Sequence, residues 1–200
     1  QGGCGEAFEG YHEGFPKQKL LVKSMLPFAD GDSRREEFYT RTVQEAKTLQ
    51  RLLAEHIPDI PKLYSAGVEQ GDPYLIEEFI KGPTLQDIFR AARERGETLS
   101  VRYLMVVACY LAETLRAVHA KNFVHRDIKP ANIMICPIRK RPVIIDWGLS
   151  KELGANQTEL TRSNISMGTM EYMPPEQRLD AKRVDDRADD IDGAIAIERR

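Results

Sequence analysis

The densest chemistry in the chain is the stretch His125-Arg126-Asp127-Ile128-Lys129-Pro130-Ala131-Asn132, followed further on by Asp146-Trp147-Gly148. Asp127, Asn132 and Asp146 offer hard oxygen atoms of the kind Mg²⁺ takes. A positioned carboxylate among them can also accept a hydroxyl proton. Each residue alone has an ordinary structural explanation, since Asp caps turns and Asn bridges loop backbone. Their order and spacing together point to a site. A second pair of residues is costly to place: Lys23 lies on an apolar strand, and Glu45 lies inside the apolar stripe of a helix. Burying either charge alone is expensive. Mutual pairing explains both, as would a purely structural buried ion pair.

The elements that must hold these residues can be read from periodicity. The first thirty residues read as strands, with a Gly-rich turn (Gly2, Gly3, Gly5) before an apolar strand, Lys19–Met25, in which Leu21, Lys23 and Met25 share a face. Ser33-x-x-Glu36 is a capping box that opens a helix running to about Glu55, with Phe38, Thr42, Glu45, Leu49 and Leu52 on one stripe. Leu63–Val68 and Pro73–Ile80 read as a strand pair, and Lys81-Gly82-Pro83 is the clearest break. Beyond it, Thr84–Arg95 reads as a short helix. Val101, Leu104, Met105, Ala108, Leu111, Leu115 and Val118 recur as in a long buried helix, and Ile133–Ile135 and Val143–Ile145 are short strands. The catalytic-looking stretch thus projects from a loop between a helix and a strand. Residues 149–170 are polar, rich in Ser and Thr, and aperiodic, as in a long functional loop.

Composition narrows the classes. The chain has 200 residues, with 29 Lys plus Arg against 31 Asp plus Glu, a formal net charge of −2. That balance gives no general attraction to nucleic acid or to an anionic membrane. The longest apolar run, Tyr103–Ala112, is half the ~20 residues a spanning helix needs. Three scattered cysteines (Cys4, Cys109, Cys136), with no CxxC pair and no leader-like opening, fit a reducing, cytoplasmic setting.

The His125–Asn132 stretch, Asp146-Trp147-Gly148 and the Lys23 and Glu45 placements together resemble the catalytic domain of eukaryotic-type serine/threonine protein kinases. The resemblance implies an α+β, two-lobed fold: residues 1–80 an N-lobe of small antiparallel sheet plus one helix, and 81–200 a mainly helical, incomplete C-lobe. It implies ATP and Mg²⁺ as cofactors and a protein substrate bearing Ser or Thr, with no nucleic-acid partner and no membrane segment. Asp127 would accept or orient the substrate hydroxyl proton, and Lys129 would neutralise the transferred phosphoryl group. Asn132 and Asp146 would hold Mg²⁺. Gly2, Gly3 and Gly5 would cover the phosphates, and Lys23, fixed by Glu45, would hold the α- and β-phosphates. Ala7, Leu21, Glu78, Ile80 and Met134 would complete the nucleotide pocket, with Ile80 near a hinge whose backbone meets adenine. His125 and Trp147 read as packed core.

Lys129-Pro130-Ala131-Asn132 and Gly168-Thr169-Met170-Glu171-Tyr172-Met173-Pro174-Pro175-Glu176 resemble the Ser/Thr type rather than the tyrosine-specific type. Thr158, Thr161, Ser163 and Ser166 are candidate phosphosites whose phosphate could pair with Arg126. Several positions depart from the pattern. Trp147 replaces the usual Phe, and Pro-Pro-Glu replaces Ala-Pro-Glu. Leu21 stands where a small alanine is usual and Ala7 where valine is usual, an exchange that would conserve the width of the adenine slot. Glu77 stands at the position that gates the rear pocket; Lys23 is a possible partner for it, in competition with Glu45. The chain starts after the first glycine of the Gly-rich loop and stops soon after Asp189, which matches the acid opening the family's large central helix, so the sequence reads as a fragment of such a domain, or a decayed copy of one, whose second lobe exposes apolar surface. Two other readings stay open: a pseudokinase-like module that binds nucleotide or a partner without turnover, and a small-molecule phosphotransferase.

Overall fold

The structure is a computed structural model and describes residues 5–25, 33–153 and 189–191. Gly2 and Gly3, the candidate phosphosites and the 168–176 segment lie outside the described residues. These residues form two compact units. The first takes the stretches up to His56, Ile60–Ile80 and Asp146–Gly148; the second takes Ile57–Asp59, Lys81–Ile145 and the residues from Leu149.

The first unit is an antiparallel sheet with one helix. Strands β1 (Gly5–His12), β2 (Phe15–Met25), β3 (Leu63–Glu69) and β4 (Asp72–Glu78) lie in the order β1-β2-β4-β3. Gly5 therefore opens a strand, opposite Met25, rather than sitting in a turn. The β3–β4 hairpin closes through Gln70 and Gly71, with φ of 52° and 88°, the left-handed pair whose twist suits a two-residue hairpin turn. On β4, Pro73, Leu75 and Glu77 alternate into the buried face. That face receives helix α1 (Ser33–Ala54), which buries Thr42, Glu45, Thr48, Leu49 and Leu52. Leu49, Leu52 and Leu75 are fully enclosed, and each contributes about 1.5–3 kcal/mol by leaving water. The helix bounds agree with the sequence reading, and the buried stripe keeps its 3.6-residue period, with Phe38 half-buried at its start.

The second unit contains helices α2 (Leu85–Glu94) and α3 (Val101–His119), then short strands β5 (Phe123–Val124), β6 (Ile133–Cys136), β7 (Arg141–Ile144) and β8 (Lys151–Glu152). Strand β6 pairs with β7, and β5 with β8. Gly82, at φ 144°, passes so close to β6 that a Cβ would stand 2.1 Å from the Ile135 carbonyl oxygen, so only glycine fits. Thr84 starts α2 with a reciprocal cap: its hydroxyl accepts from the Asp87 N–H at 3.0 Å, and its own N–H donates to the Asp87 carboxylate at 3.1 Å. Thr84→Ala is expected to cost about 1 kcal/mol, measured as a lower denaturant midpoint at unchanged slope.

Helix α3 corrects the sequence reading of a wholly buried helix. Leu104, Val107, Leu111, Leu115 and Val118 form its buried stripe, whereas Val101 and Met105 are 52% and 63% exposed. The period was right, but Val101 and Met105 lie off the face that Leu104 and Val107 begin. Among the described residues no helix is long and apolar enough to cross a membrane.

Candidate active site

In the second unit the site begins where α3 and β5 end. His125 is fully buried; its Nε2 lies 3.1 Å from the Ile145 carbonyl oxygen, and its Nδ1 accepts from the Asp127 N–H at 3.2 Å. It therefore packs as structure, as expected. Arg126 adopts φ 66°, a left-handed conformation uncommon for a long side chain. Two contacts hold it there: its N–H donates to Asp189 Oδ1 at 2.7 Å, and its Nε donates to the Leu149 carbonyl at 2.7 Å. Asp189 Oδ2 also accepts from the His125 N–H at 2.9 Å and lies 2.7 Å from His119 Nε2. Asp189 is thus the brace of the whole loop. Its His119 contact had no signal in the sequence, because it joins residues 70 positions apart.

The braced loop delivers three side chains to one point. Asp127 Oδ2 lies 2.8 Å from Lys129 Nζ and accepts from Asn132 Nδ2 at 2.9 Å, while the same Nδ2 also donates to the Asp127 carbonyl at 2.9 Å. Asp127 and Asn132 are each 6% exposed. Pro130–Asn132 form one 3₁₀ turn, closed by the Asn132 N–H on the Lys129 carbonyl, and this folds Asn132 back over Asp127. The Asn132 carbonyl accepts from Ile145, which ties the turn to the strand leading to Asp146. Met134 lies on β6 and bridges to Thr84.

In the first unit, Lys23 Nζ lies 2.6 Å from Glu45 Oε1, the couple expected from their apolar settings. Glu77 is a further partner, its Oε1 at 2.8 Å from the same ammonium. Glu45 Oε1 also accepts from the Trp147 N–H at 3.3 Å, and Trp147 is fully buried. Asp146, next to it, has φ 64°, which Asp tolerates better than most residues. Leu21 stands between Glu9 on β1 and Glu77 on β4, and Ala7 stands opposite Lys23, so Ala7 and Leu21 are diagonal neighbours rather than a facing pair. Glu78 pairs with Leu20 on β2, and Ile80 is buried at the end of the Ile60–Ile80 stretch.

Three carboxylates act on one ammonium here. For Lys23, burial disfavours the charge, but Glu45, Glu77 and Asp146 outweigh it and hold the ammonium above its ordinary range. For Glu45, burial pushes the carboxyl up to about 7 despite the pull of Lys23, with Glu77 and Asp146 adding to the rise. Because this value lies above the ordinary 4.5, the stability Glu45 contributes is complete below about pH 4.5 and is lost as pH rises through about 7. Unfolding measured against pH, wild type minus Glu45→Gln, is expected to show that decline between the two values; a flat difference would contradict it.

Among the described residues, no group of three or more His, Cys, Asp or Glu could hold a metal ion unaided. Oxygens from another source would have to complete a cation's shell, as phosphates do around Mg²⁺.

A family model described as protein kinase domain matches residues 1–191. Serine/threonine-protein kinase D of Synechocystis sp. is 33% identical over 183 residues, covering 88% of this chain and 34% of that protein. Serine/threonine-protein kinase C of the same organism is 32% identical over 181 residues, covering 88% and 33%. Serine/threonine-protein kinase AfsK of Streptomyces griseus is 30% identical over 156 residues, covering 76% and 17%. The chain spans about a third of the length of the two Synechocystis relatives. The family match runs through both units, from the lysine–glutamate couple to the Asp127 loop and its Asp189 brace: the chain belongs to the protein kinase domain family.

Proposed function

We propose that the chain transfers the γ-phosphoryl group of Mg·ATP to Ser and Thr hydroxyls of protein substrates. The observation that carries this reading is the Asp127–Lys129–Asn132 cluster, in which one carboxylate is fixed by an ammonium and an amide within 2.9 Å. The names of the relatives, all serine/threonine-protein kinases, support the acceptor class.

The donor set suits the cofactor. Asn132 commits its Nδ2 to Asp127, which leaves the amide oxygen as the end that suits a hard cation, and Asp146 adds a carboxylate. Mg·ATP, when bound, supplies the phosphoryl group and a cation that offsets its charge. The chain's own residues do the rest. Lys23 holds phosphate oxygens, and Asn132 and Asp146 hold Mg²⁺. Asp127 orients the acceptor hydroxyl and takes its proton. Lys129, already beside Asp127, places a positive charge where the transferred group gains negative charge. Gly2, Gly3 and Gly5 cover the phosphates from the backbone, and Ala7, Leu21, Glu78, Ile80 and Met134 line the nucleotide pocket. Three scattered cysteines with no CxxC pair fit a reducing, cytoplasmic compartment.

The test offers Mg·ATP with generic protein substrates, and separately with small hydroxylated compounds. Incorporation into protein Ser and Thr is expected. Nucleotide binding without turnover, or turnover only on the small compounds, would overturn the proposal.

A further inference from the structure

Glu77 is an anomaly on β4. Strand alternation places it on the same buried face as Pro73 and Leu75, where an apolar residue is expected. It is 1% exposed, and its Oε2 is buried with no hydrogen bond among the described residues. The compensation for this buried charge comes through Oε1, at 2.8 Å from Lys23 Nζ. An uncompensated carboxylate there would be very costly.

The two partners of Lys23 are carried differently. Glu45 reaches the ammonium from α1 and depends on how that helix packs. Glu77 reaches it from β4, hydrogen-bonded directly to β2 in a register that pairs Lys23 with Leu75 and Leu21 with Glu77. Lys23 and Glu77 are therefore diagonal cross-strand neighbours, within reach of long side chains whatever α1 does. The charged groups acting on this ammonium are Glu45 from α1, Glu77 from β4 and Asp146.

We propose that Glu77 is a positioning residue for Lys23: a second carboxylate, borne by the sheet, that keeps the ammonium in place independently of Glu45. The inference rests on the proposed nucleotide reading only for its consequence, that Lys23 stays presented to the phosphates without relying on Glu45 alone. It also implies that Lys23 divides its donors between two acids, so that phosphate oxygens compete with Glu77 for it.

The test is trace acetylation with acetic anhydride, quantified at each lysine by mass spectrometry and needing no nucleotide. Exposed Lys47 is the internal reference. Only the neutral amine reacts, so the Lys23 rate reports how firmly its proton is held. Glu77→Gln is expected to raise the Lys23 rate on the order of tenfold, the worth of one charged hydrogen bond. Glu77→Asp keeps the charge but withdraws it by one methylene, and is expected to give an intermediate rate. Glu45→Gln alone is expected to raise the rate less than Glu45→Gln combined with Glu77→Gln. Should the double variant not fold, the single Glu77 variants decide. An unchanged Lys23 rate in Glu77→Gln, or Glu45→Gln matching the double variant, would overturn the proposal. Failure of Mg·ATP to protect Lys23 in the wild type would count against the nucleotide reading alone.

Discussion

Asp127→Asn is expected to lower phosphoryl transfer about 10²- to 10⁴-fold, the usual contribution of a positioned proton acceptor, with little change in nucleotide affinity. The substitution is nearly isosteric and the amide keeps an oxygen for Lys129 and Asn132, so the loop around it should persist. The readout is initial rate at saturating Mg·ATP, beside the unfolding midpoint of the same variant. A rate within about threefold of wild type, a small fraction of the expected effect, would remove Asp127 from the reaction. A collapse in midpoint would make it a structural residue instead. The expectation is specific because Asp127 is held from two sides, by Lys129 Nζ at 2.8 Å and Asn132 Nδ2 at 2.9 Å. Neither contact is needed to close the backbone, which Asp189 braces at His125 and Arg126.

Asp146→Asn is the second large effect. Exchanging a carboxylate for a neutral amide weakens the hold on a divalent cation, and metal stabilisation of developing charge is worth several kcal/mol. At 1.36 kcal/mol per tenfold, a loss of about 10²-fold or more in rate is expected at low Mg²⁺. The half-saturating Mg²⁺ concentration should rise, and high Mg²⁺ should recover part of the rate. Titrating Mg²⁺ at fixed ATP in both proteins measures this. An unshifted Mg²⁺ dependence would exclude Asp146 as a ligand. Asp146 and Glu45 lie in the same charge cluster, so the substitution also relieves the pressure that raises Glu45.

Much of this was legible in the residues because burial makes demands that few residue types can meet. A lysine on an apolar strand and a glutamate on an apolar helical stripe predicted each other, and the 2.6 Å pair is the outcome. Glu77 could be seen to need a donor, and Lys23 supplies it. Trp147 and His125 were expected in the core and are fully enclosed. The apolar stripe of α1 and the β3–β4 turn were local patterns, settled within a few residues.

What was not legible is long-range or depends on phase. Periodicity showed the helix α3 but not the phase of its buried stripe, so Val101 and Met105 were misplaced. His119 carries no mark of its role, since its partner Asp189 lies far along the chain. Arg141 is similar. It stacks on Tyr110 at 4.5 Å from the ring centroid and lies 2.9 Å from Asp59 Oδ2, a pairing between a hairpin and the segment after α1 that local pattern could not reveal. Gly5 looked like turn material because glycine clusters usually are, yet sheet pairing with Met25 recruits it into β1.

The central claim is that a lysine held by acids and three oxygen-bearing side chains serve one nucleotide. It is tested most directly by a crystal structure of the chain with Mg²⁺ and a non-hydrolysable ATP analogue. The account predicts Lys23 Nζ hydrogen-bonded to phosphate oxygens, Asn132 and Asp146 ligating the ion, and Asp127 nearest the terminal phosphate. A nucleotide bound elsewhere, or Asp127, Asn132 and Asp146 facing separate regions with no ion among them, would contradict it.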